Sequence, residues 1–507
     1  MCSQISDSTK RKYTNPLNYV DSSSLPTNPD PFVLKFCGKY YCYSTDEFGV
    51  KVSVSNDLID WHFLGFAMQE DGRKNYWAPG VDYWDGQFVM YYSSVPIDSQ
   101  DPHDGFLRVA TSKNPEGPFV LRKVLFDKFT IDAEIVANEE GERFLFYSAN
   151  DITGTTADNT GTSILVDKLL KFDELEGNPQ PVLVPTIEEE VFEENRFGDG
   201  RDWYTIEGAS FTKHHGLTYL LYSANAYVRE NYYIAYAVGK DHSEINQMNF
   251  EKYPNDFTYY PLMKKNESVE GTGHNSITLA PNNVDQWVVY HGRDSEEILD
   301  FEKEQRVMRM DSLFFFGEKL KINGPTHLEQ NAPFLPTVQN YFNKNNETWK
   351  RYEENGIGFN ITTYKSPYYI YELDLSLENK NTGCRGGAVI GWLDELNYSL
   401  VLLDSGSNKV LIEQVVNGLS TIIQSSPVNS LKFDRVYHLK ITRIFNHFEI
   451  IIDKQRIGKF SLDVAGECLG VCQKFSTIDF KYLAVTETVD LWGEEFRYFG
   501  NFLEQRR

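Results

Sequence analysis

The sequence predicts an all-β chain in two parts, a five-bladed β-propeller followed by a β-sandwich, on three observations. A turn-punctuated aromatic layout recurs five times before residue 330. Each recurrence opens with a polar or ionisable side chain in an otherwise apolar strand. After about Trp349 the texture changes to short alternating strands with no helical period.

The repeats run in order. NPDPFVLKFCGKYYCYS carries Asp30 and opens a unit from about Asn28 to Gly65. NYWAPGVDYWDGQFVMYYS carries Trp77 and Ala78 and opens the second, to about Phe126. TIDAEIVANEEGERFLFYS carries Asp132 and opens the third, to about Phe172. TIEGASFTKHHGLTYLLYS carries Glu207 in the fourth, to about Tyr253, and GTGHNSITLAPNNVDQWVVYH carries His274 in the fifth, to about Phe316. Each unit supplies about four β-prone segments separated by turn residues, the pattern of a propeller blade. Blades set around an axis would bring the polar residues to one central point. The acidic, aromatic insertion LVPTIEEEVFEENRFGDGRDW separates units three and four, with Arg201 and Trp203 as its notable members. A rim over the site and a solvated loop are equal expectations for it.

Residues 1–330 are therefore expected to form the propeller and 331–507 the sandwich, the segment from 323 to 349 serving as linker. Strands such as YYIYELDLSL, YSLVLLDS, KVLIEQVV and VYHLKITRI define the second part, whose expected role is packing or carbohydrate contact.

Composition narrows the function. With 507 residues the chain exceeds one ordinary core. Aromatic residues make up 14%, which suits β structure and surfaces that stack on sugars. A net charge of −24 disfavours nucleic acid and anionic membrane as partners. The six cysteines show no paired CxxC units, and the N-terminus has no apolar signal-like run, so a cytoplasmic protein with free thiols is expected. Self-association is left open.

Three carboxylic acids carry the chemistry: Asp30, Asp132 and Glu207. Glycosidic cleavage uses one carboxyl group to protonate the leaving oxygen and a second to activate water. Trp77 is a candidate stacking wall for a sugar ring.

NPDP with GKYYCYS, WAPG, NPEGPF, IDAE, IEGAS with YLLYSANAY, and GTGHNS with YHGRD together resemble glycoside hydrolase family 43, in order over roughly residues 28–325. The resemblance implies a five-bladed propeller acting by inversion, with Asp30 as general base, Glu207 as general acid and Asp132 as the acid that tunes Glu207's pKa and orients it. His274 matches the family's histidine at the floor of the funnel, which helps hold a central ion or water. No cofactor is required, and a metal there would be a structural calcium ion. Ala133 and Ala209 depart from the prolines the family often shows. The family's late arginine falls on Arg306 or Arg309, with Arg306 favoured. GAVIGWLDELNYSLVLLD is similar to the concanavalin-like sandwich of the family's β-xylosidases and arabinofuranosidases. The expected substrate is an oligosaccharide ending in α-L-arabinofuranose or β-D-xylose. The alternatives are a β-D-galactofuranosidase, a fructan hydrolase of a related five-bladed fold, and a non-catalytic sugar-binding propeller.

Overall fold

A computed structural model describes residues 11–20, 26–153, 159–214, 216–240, 244–300, 303–342, 349–354, 356–378, 383–428, 431–475, 477–487, 489–490 and 496–497. Part of the linker, 343–348, and the end of the last expected strand, LAVTETVDLW, lie outside the described residues. The chain is all-β: its extended segments are β-branched and aromatic runs broken by Gly, Asn and Asp turns. Among the described residues no helix is long and apolar enough to cross a membrane.

Up to residue 331 the strands form antiparallel units that step outward in chain order. The first holds Phe32–Phe36, Lys39–Ser44, Val50–Ser55 and Asp60–Met68, and the second Arg73–Trp84, Gln87–Pro96, Phe106–Ser112 and Val120–Val124. The third holds Thr130–Ala137, Arg143–Thr153 and Thr160–Lys171, and its fourth strand is Gln180–Leu183. That strand lies beyond the expected limit at Phe172, because the chain first makes the short Glu174–Leu175 pairing before returning. The fourth unit holds Trp203–His214, Leu217–Ala224, Tyr233–Gly239 and Phe250–Lys252, and the fifth Val269–Leu279, Gln286–Asp294, Val307–Phe316 and Lys319–Ile322. Units three and four are stitched together by a short parallel pairing, Gly161 against Tyr204 and Thr162 against Thr205. A Cβ at Gly161 would stand 1.9 Å from the Tyr204 carbonyl oxygen, so only glycine permits this approach.

The first strands of successive units touch one another, and the first strand of the fifth unit touches that of the first, so the contacts make a closed cycle. Between neighbouring units lie separate apolar clusters, such as Tyr43, Val52, Met90 and Phe119 between the first and second. At the joint of the last and first units, Tyr40 and Trp61 pack with Trp287, Val289 and Met310.

Beyond residue 331 there are two larger sheets. The six-stranded one runs Val338–Tyr341, Ile478–Glu487, Tyr368–Leu377, Val436–Ile444, His447–Ile452, Gln455–Ser461. The seven-stranded one runs Lys350–Glu354, Ile357–Lys365, Cys468–Lys474, Arg385–Asp394, Asn397–Asp404, Lys409–Val416, Leu419–Pro427. One core joins them: Tyr371, Leu373, Leu439 and Ile441 from the first sheet meet Ile390, Val401, Leu403 and Ile412 from the second. The two parts of the chain meet through polar contacts. Lys35 Nζ stands 2.8 Å from Glu372, Lys454 Nζ 2.7 Å from Asp82, and the Val436 amide donates to Tyr83 Oη at 2.9 Å. None of the five described cysteines forms a disulfide.

Candidate active site

Local backbone geometry is what turns five strands towards one point. The first strand of each unit has a left-handed residue in it or just before it: Asp30 (φ 53°), Ala78 (41°), Asp132 (60°), Gly208 (63°) and His274 (40°), with Asn75 (54°) and Gly271 (56°) as second ones in the second and fifth units. Strand pairing slips beside four of them, at Trp77/Gly80, Ile131/Glu134, Glu207/Ser210 and Gly273/Ser276. Such bulges break the two-residue alternation and re-aim the side chains next to them. The equivalence among units therefore runs through Ala78 and Gly208, and Trp77 and Glu207 stand one residue ahead of Asp30, Asp132 and His274. A repeat aligned by period two cannot register the extra residue of a bulge. Gly208 is demanded twice over, by its φ and by the His274 ring, whose Nδ1 would lie 3.2 Å from any Cβ added there.

These strands surround a cavity of about 220 Å³ whose walls include Asp30, Trp77, Asp132, Trp203, Glu207, His274 and Arg306. The three acids, His274, Arg306 and the two tryptophans singled out from the sequence thus face one space. Further walls come from Phe129, Phe192, Arg196, Tyr227 and Tyr232.

Asp30 is held at both oxygens. Oδ1 lies 3.1 Å from Arg306 Nη1, and Oδ2 accepts from Thr45 Oγ1 at 2.6 Å. Thr45 in turn accepts the Ala78 amide at 2.8 Å, tying the first unit to the second. Arg306 is itself clamped: Glu304 receives Nε at 2.9 Å and Nη2 at 2.7 Å, and the guanidinium stacks 4.7 Å from the centre of the Tyr227 ring. Burial alone would raise Asp30, but the Arg306 guanidinium outweighs it and holds the carboxyl well below the usual range. His291 Nδ1 accepts the Asp30 amide at 3.1 Å, so the ring proton sits on Nε2. Burial lowers His291 to about 4, which leaves it neutral.

Glu207 behaves in the opposite way. Burial, reinforced by the charge of Asp30, raises it to about 7 against the opposing hydrogen bond from Tyr232, whose Oη donates to Oε1 at 2.8 Å. Asp132 is raised well above its ordinary range by burial first, then by Glu207 and Asp30. Its Oδ2 accepts the Gly208 amide at 3.1 Å, gripping the backbone next to Glu207. The carboxylate charge that lifts Glu207 is that of Asp30, the group ionised throughout.

Some expectations need adjusting. Arg201 does not face the cavity; it is exposed and paired with Asp199 at 2.6 Å. Its place is taken by Arg196, packed 5.2 Å from the centre of the Trp203 ring. Arg309 is fully buried elsewhere, paired with Asp294 and 3.5 Å from the Thr326 carbonyl oxygen. The segment Arg306–Arg309 straddles the start of its strand, so alternation does not govern both residues. The repeats do not single out Tyr232, Thr45 and Glu304, and His291, the last residue of the fifth repeat and part of YHGRD, takes no role from the sequence; their positions in the fold mark them.

A calcium ion on His274 would need six to eight oxygen ligands. The carboxylate oxygens within 4.0 Å of His274 Nδ1 among the described residues are Asp30 Oδ1 at 3.5 Å and Asp132 Oδ2 at 4.0 Å. The first is engaged by Arg306 and the second by the Gly208 amide, so this donor set does not fit the ion. Among the described residues, Glu372, Asp374 and His438 are the three ligand-type side chains that cluster within 4.8 Å of one another, and they lie away from the cavity.

Comparison with known proteins agrees with the geometry. A solved thermostable family-43 glycoside hydrolase is 31% identical, with a TM-score of 0.53, over 63% of this chain and 99% of that one. Alpha-L-arabinofuranosidase 43 of Humicola insolens is 24% identical over 301 residues, 56% of this chain and 58% of that protein. Probable arabinan endo-1,5-alpha-L-arabinosidase C of Aspergillus clavatus is 34% identical over 96 residues, 18% of this chain and 29% of that protein. The chain thus spans between about a third and three-fifths of the length of these two curated relatives. The family model described as "Glycosyl hydrolases family 43" matches residues 24–313, more than half of the sequence, and the chain belongs to that family.

Proposed function

We propose that this protein is an inverting exo-glycoside hydrolase that removes a terminal α-L-arabinofuranose, or as second choice β-D-xylose, from oligosaccharides. The observation that carries the reading is a pair of carboxyl groups in one cavity driven to opposite protonation states. Asp30 is ionised far below neutrality, whereas Glu207 keeps its proton to about pH 7. Two acids pushed apart by their surroundings are the requirement for simultaneous base and acid catalysis. Glu207 donates its proton to the glycosidic oxygen as the C–O bond breaks. Asp30 takes a proton from the water that attacks the opposite face of the ring. Asp132 acts through the Gly208 amide, fixing the backbone that carries Glu207.

The cavity of about 220 Å³ suits one sugar ring, and Trp77, Phe129 and Trp203 give it aromatic walls, which favours release of terminal residues. Arabinofuranose is placed first because the Humicola insolens relative, aligned over more than half of this chain, is named for that sugar. The closed cycle of first strands supports a five-bladed propeller for residues 1–330, and the core shared by the two later sheets supports a sandwich for 331–507.

The reading is tested with initial rates on p-nitrophenyl α-L-arabinofuranoside and β-D-xyloside, together with proton NMR of the first-formed anomer. Cleavage of one pentoside with inversion, and its loss in Asp30→Asn, is the expected result. A product of retained configuration would overturn it, as would binding of arabino- or xylo-oligosaccharides without turnover.

A further inference from the structure

We infer that Tyr232 is a positioning residue that decides which oxygen of Glu207 carries the acid proton, an inference that rests on the general-acid reading of Glu207. Tyr232 immediately precedes the strand Tyr233–Gly239 and is 1% exposed. Its ring occupies space that only a glycine leaves open: a Cβ at Gly273 would stand 1.9 Å from Cε1. On one side it lies parallel to the His291 ring, at 5.8 Å and an interplanar angle of 5°. Its hydroxyl donates to Glu207 Oε1 at 2.8 Å. One ring thus touches both the acid and the histidine that receives the amide of the base.

The chemistry follows from donor and acceptor counting. Burial, with Glu207 beside it, pushes the phenol far above its ordinary range, so Tyr232 is a donor throughout the working range. With Oε1 occupied as an acceptor, the proton of the neutral acid resides on Oε2. In the forward step that proton passes to the glycosidic oxygen and the C–O bond breaks. The water oxygen bonds to the anomeric carbon while Asp30 receives a proton from it. Glu207 becomes a carboxylate, and the Tyr232 bond to Oε1 turns from neutral to charge-assisted. A hydrogen bond that strengthens as charge develops lowers the barrier and not merely the energy of the bound substrate. The proton on Asp30 returns to solvent, and Glu207 is reprotonated from solvent, after the products leave.

The same hydroxyl also stabilises the Glu207 anion before reaction. Removing it therefore raises the pKa of Glu207 while making the proton transfer slower. These two effects separate Tyr232 from a residue that only fills space.

The experiment compares Tyr232→Phe with wild type on two glycosides of the sugar that the enzyme cleaves. One bears a 2,4-dinitrophenyl leaving group, which needs little protonation, and the other is an oligosaccharide, whose alkoxide needs it. The inference predicts a loss in kcat of about 10- to 100-fold on the oligosaccharide. It predicts a loss of less than about 3-fold on the activated glycoside, KM within about 2-fold on both, and an alkaline limb of kcat/KM displaced to higher pH. Equal losses on both glycosides with an unmoved limb would reduce Tyr232 to a packing role and overturn the inference. Glu207→Gln is run beside it: if that variant shows no dependence on the leaving group, the general-acid reading itself fails, whatever Tyr232 does. Should Tyr232→Phe not fold, 3-fluorotyrosine incorporated at position 232 keeps the ring and makes the phenol a stronger donor. The alkaline limb must then shift to lower pH, and a limb that stays in place overturns the inference.

Discussion

The two parts of this chain are built from the same kind of strand and use it in opposite ways. In the first, each leading strand has a left-handed residue in it or just ahead of it, and the pairing slips beside four of the five. In the second, Tyr368–Leu377 pairs with Val436–Ile444 over nine successive residues without a slip, and its inward positions are Tyr and Leu. A left-handed non-glycine residue costs on the order of 1–3 kcal/mol. Asp30, Ala78, Asp132 and His274 all bear that cost, and three of them carry the groups that converge on the cavity. The uninterrupted pairing of these two strands keeps their apolar side chains on one face for packing. Irregularity in the first turns side chains inward that a flat pleat would direct into the gaps between sheets.

That contrast can be broken from either side. The largest expected effect is in Glu207→Gln, which should lower kcat on an unactivated oligosaccharide by roughly 10²- to 10⁴-fold, equivalent to about 3–5 kcal/mol of barrier. Its melting temperature should stay level or rise, because a buried ionisable carboxyl has been replaced by a neutral amide. Calorimetry showing marked destabilisation would mean that the site contributes to stability as well as to chemistry. The reverse experiment is Leu439→Ala, in the fully buried core shared by the two later sheets. It should cost about 2–5 kcal/mol in urea unfolding while kcat per folded molecule is unchanged. A parallel loss of kcat would show that the second part shapes the cavity directly.

Gly208→Ala sharpens the comparison at a single bulge. Strain from its φ of 63° and the Cβ contact with His274 should cost about 1–2 kcal/mol, read by thermal denaturation, together with a fall in kcat from displacement of the neighbouring Glu207. The smallest signal is in the pH dependence of kcat/KM. Glu207 must be protonated, so activity should fall above about pH 7. Asp30 must be ionised, and its lowered pKa keeps the profile flat through the ordinary carboxylate range on the acid side. A rate profile already bending down at pH 5 as the pH is lowered would contradict the pairing of Asp30 with Arg306.

Much of this was written in the sequence. The aromatic runs, their turns and the four ionisable openings, with Trp77 in the second repeat, locate the leading strands, and alternation alone marks Tyr368–Leu377 and Lys409–Val416. What period two could not carry was the bulge that sets Trp77 and Glu207 one residue ahead. Nor could it carry contacts made across strands and units: within the fourth unit Tyr232 reaches Glu207 across 25 residues, and Thr45 bridges Asp30 of the first unit to Ala78 of the second. The insertion shows a related limit: Arg201, notable in the sequence for lying just before Glu207, is exposed, whereas Arg196 lines the cavity. In an insertion outside the repeat, proximity to Glu207 in sequence says little about direction, and it is the rings of Phe192 and Trp203 that hold Arg196 towards the cavity.

The joint between the first and fifth units has one more implication. Lys12 and Tyr13 pair with Asn331 and Gln330, the Leu17 amide donates to the Met308 carbonyl, and the Asn28 amide donates to the Arg306 carbonyl at 2.9 Å. Asp30 meets Arg306 across this same joint, the two being 276 residues apart. During synthesis the first unit emerges with its carboxylate long before the arginine that will match it. The ion pair is therefore completed only when the first and fifth units meet, and on the proposed reading a chain with this joint open would hold Asp30 without its matching charge.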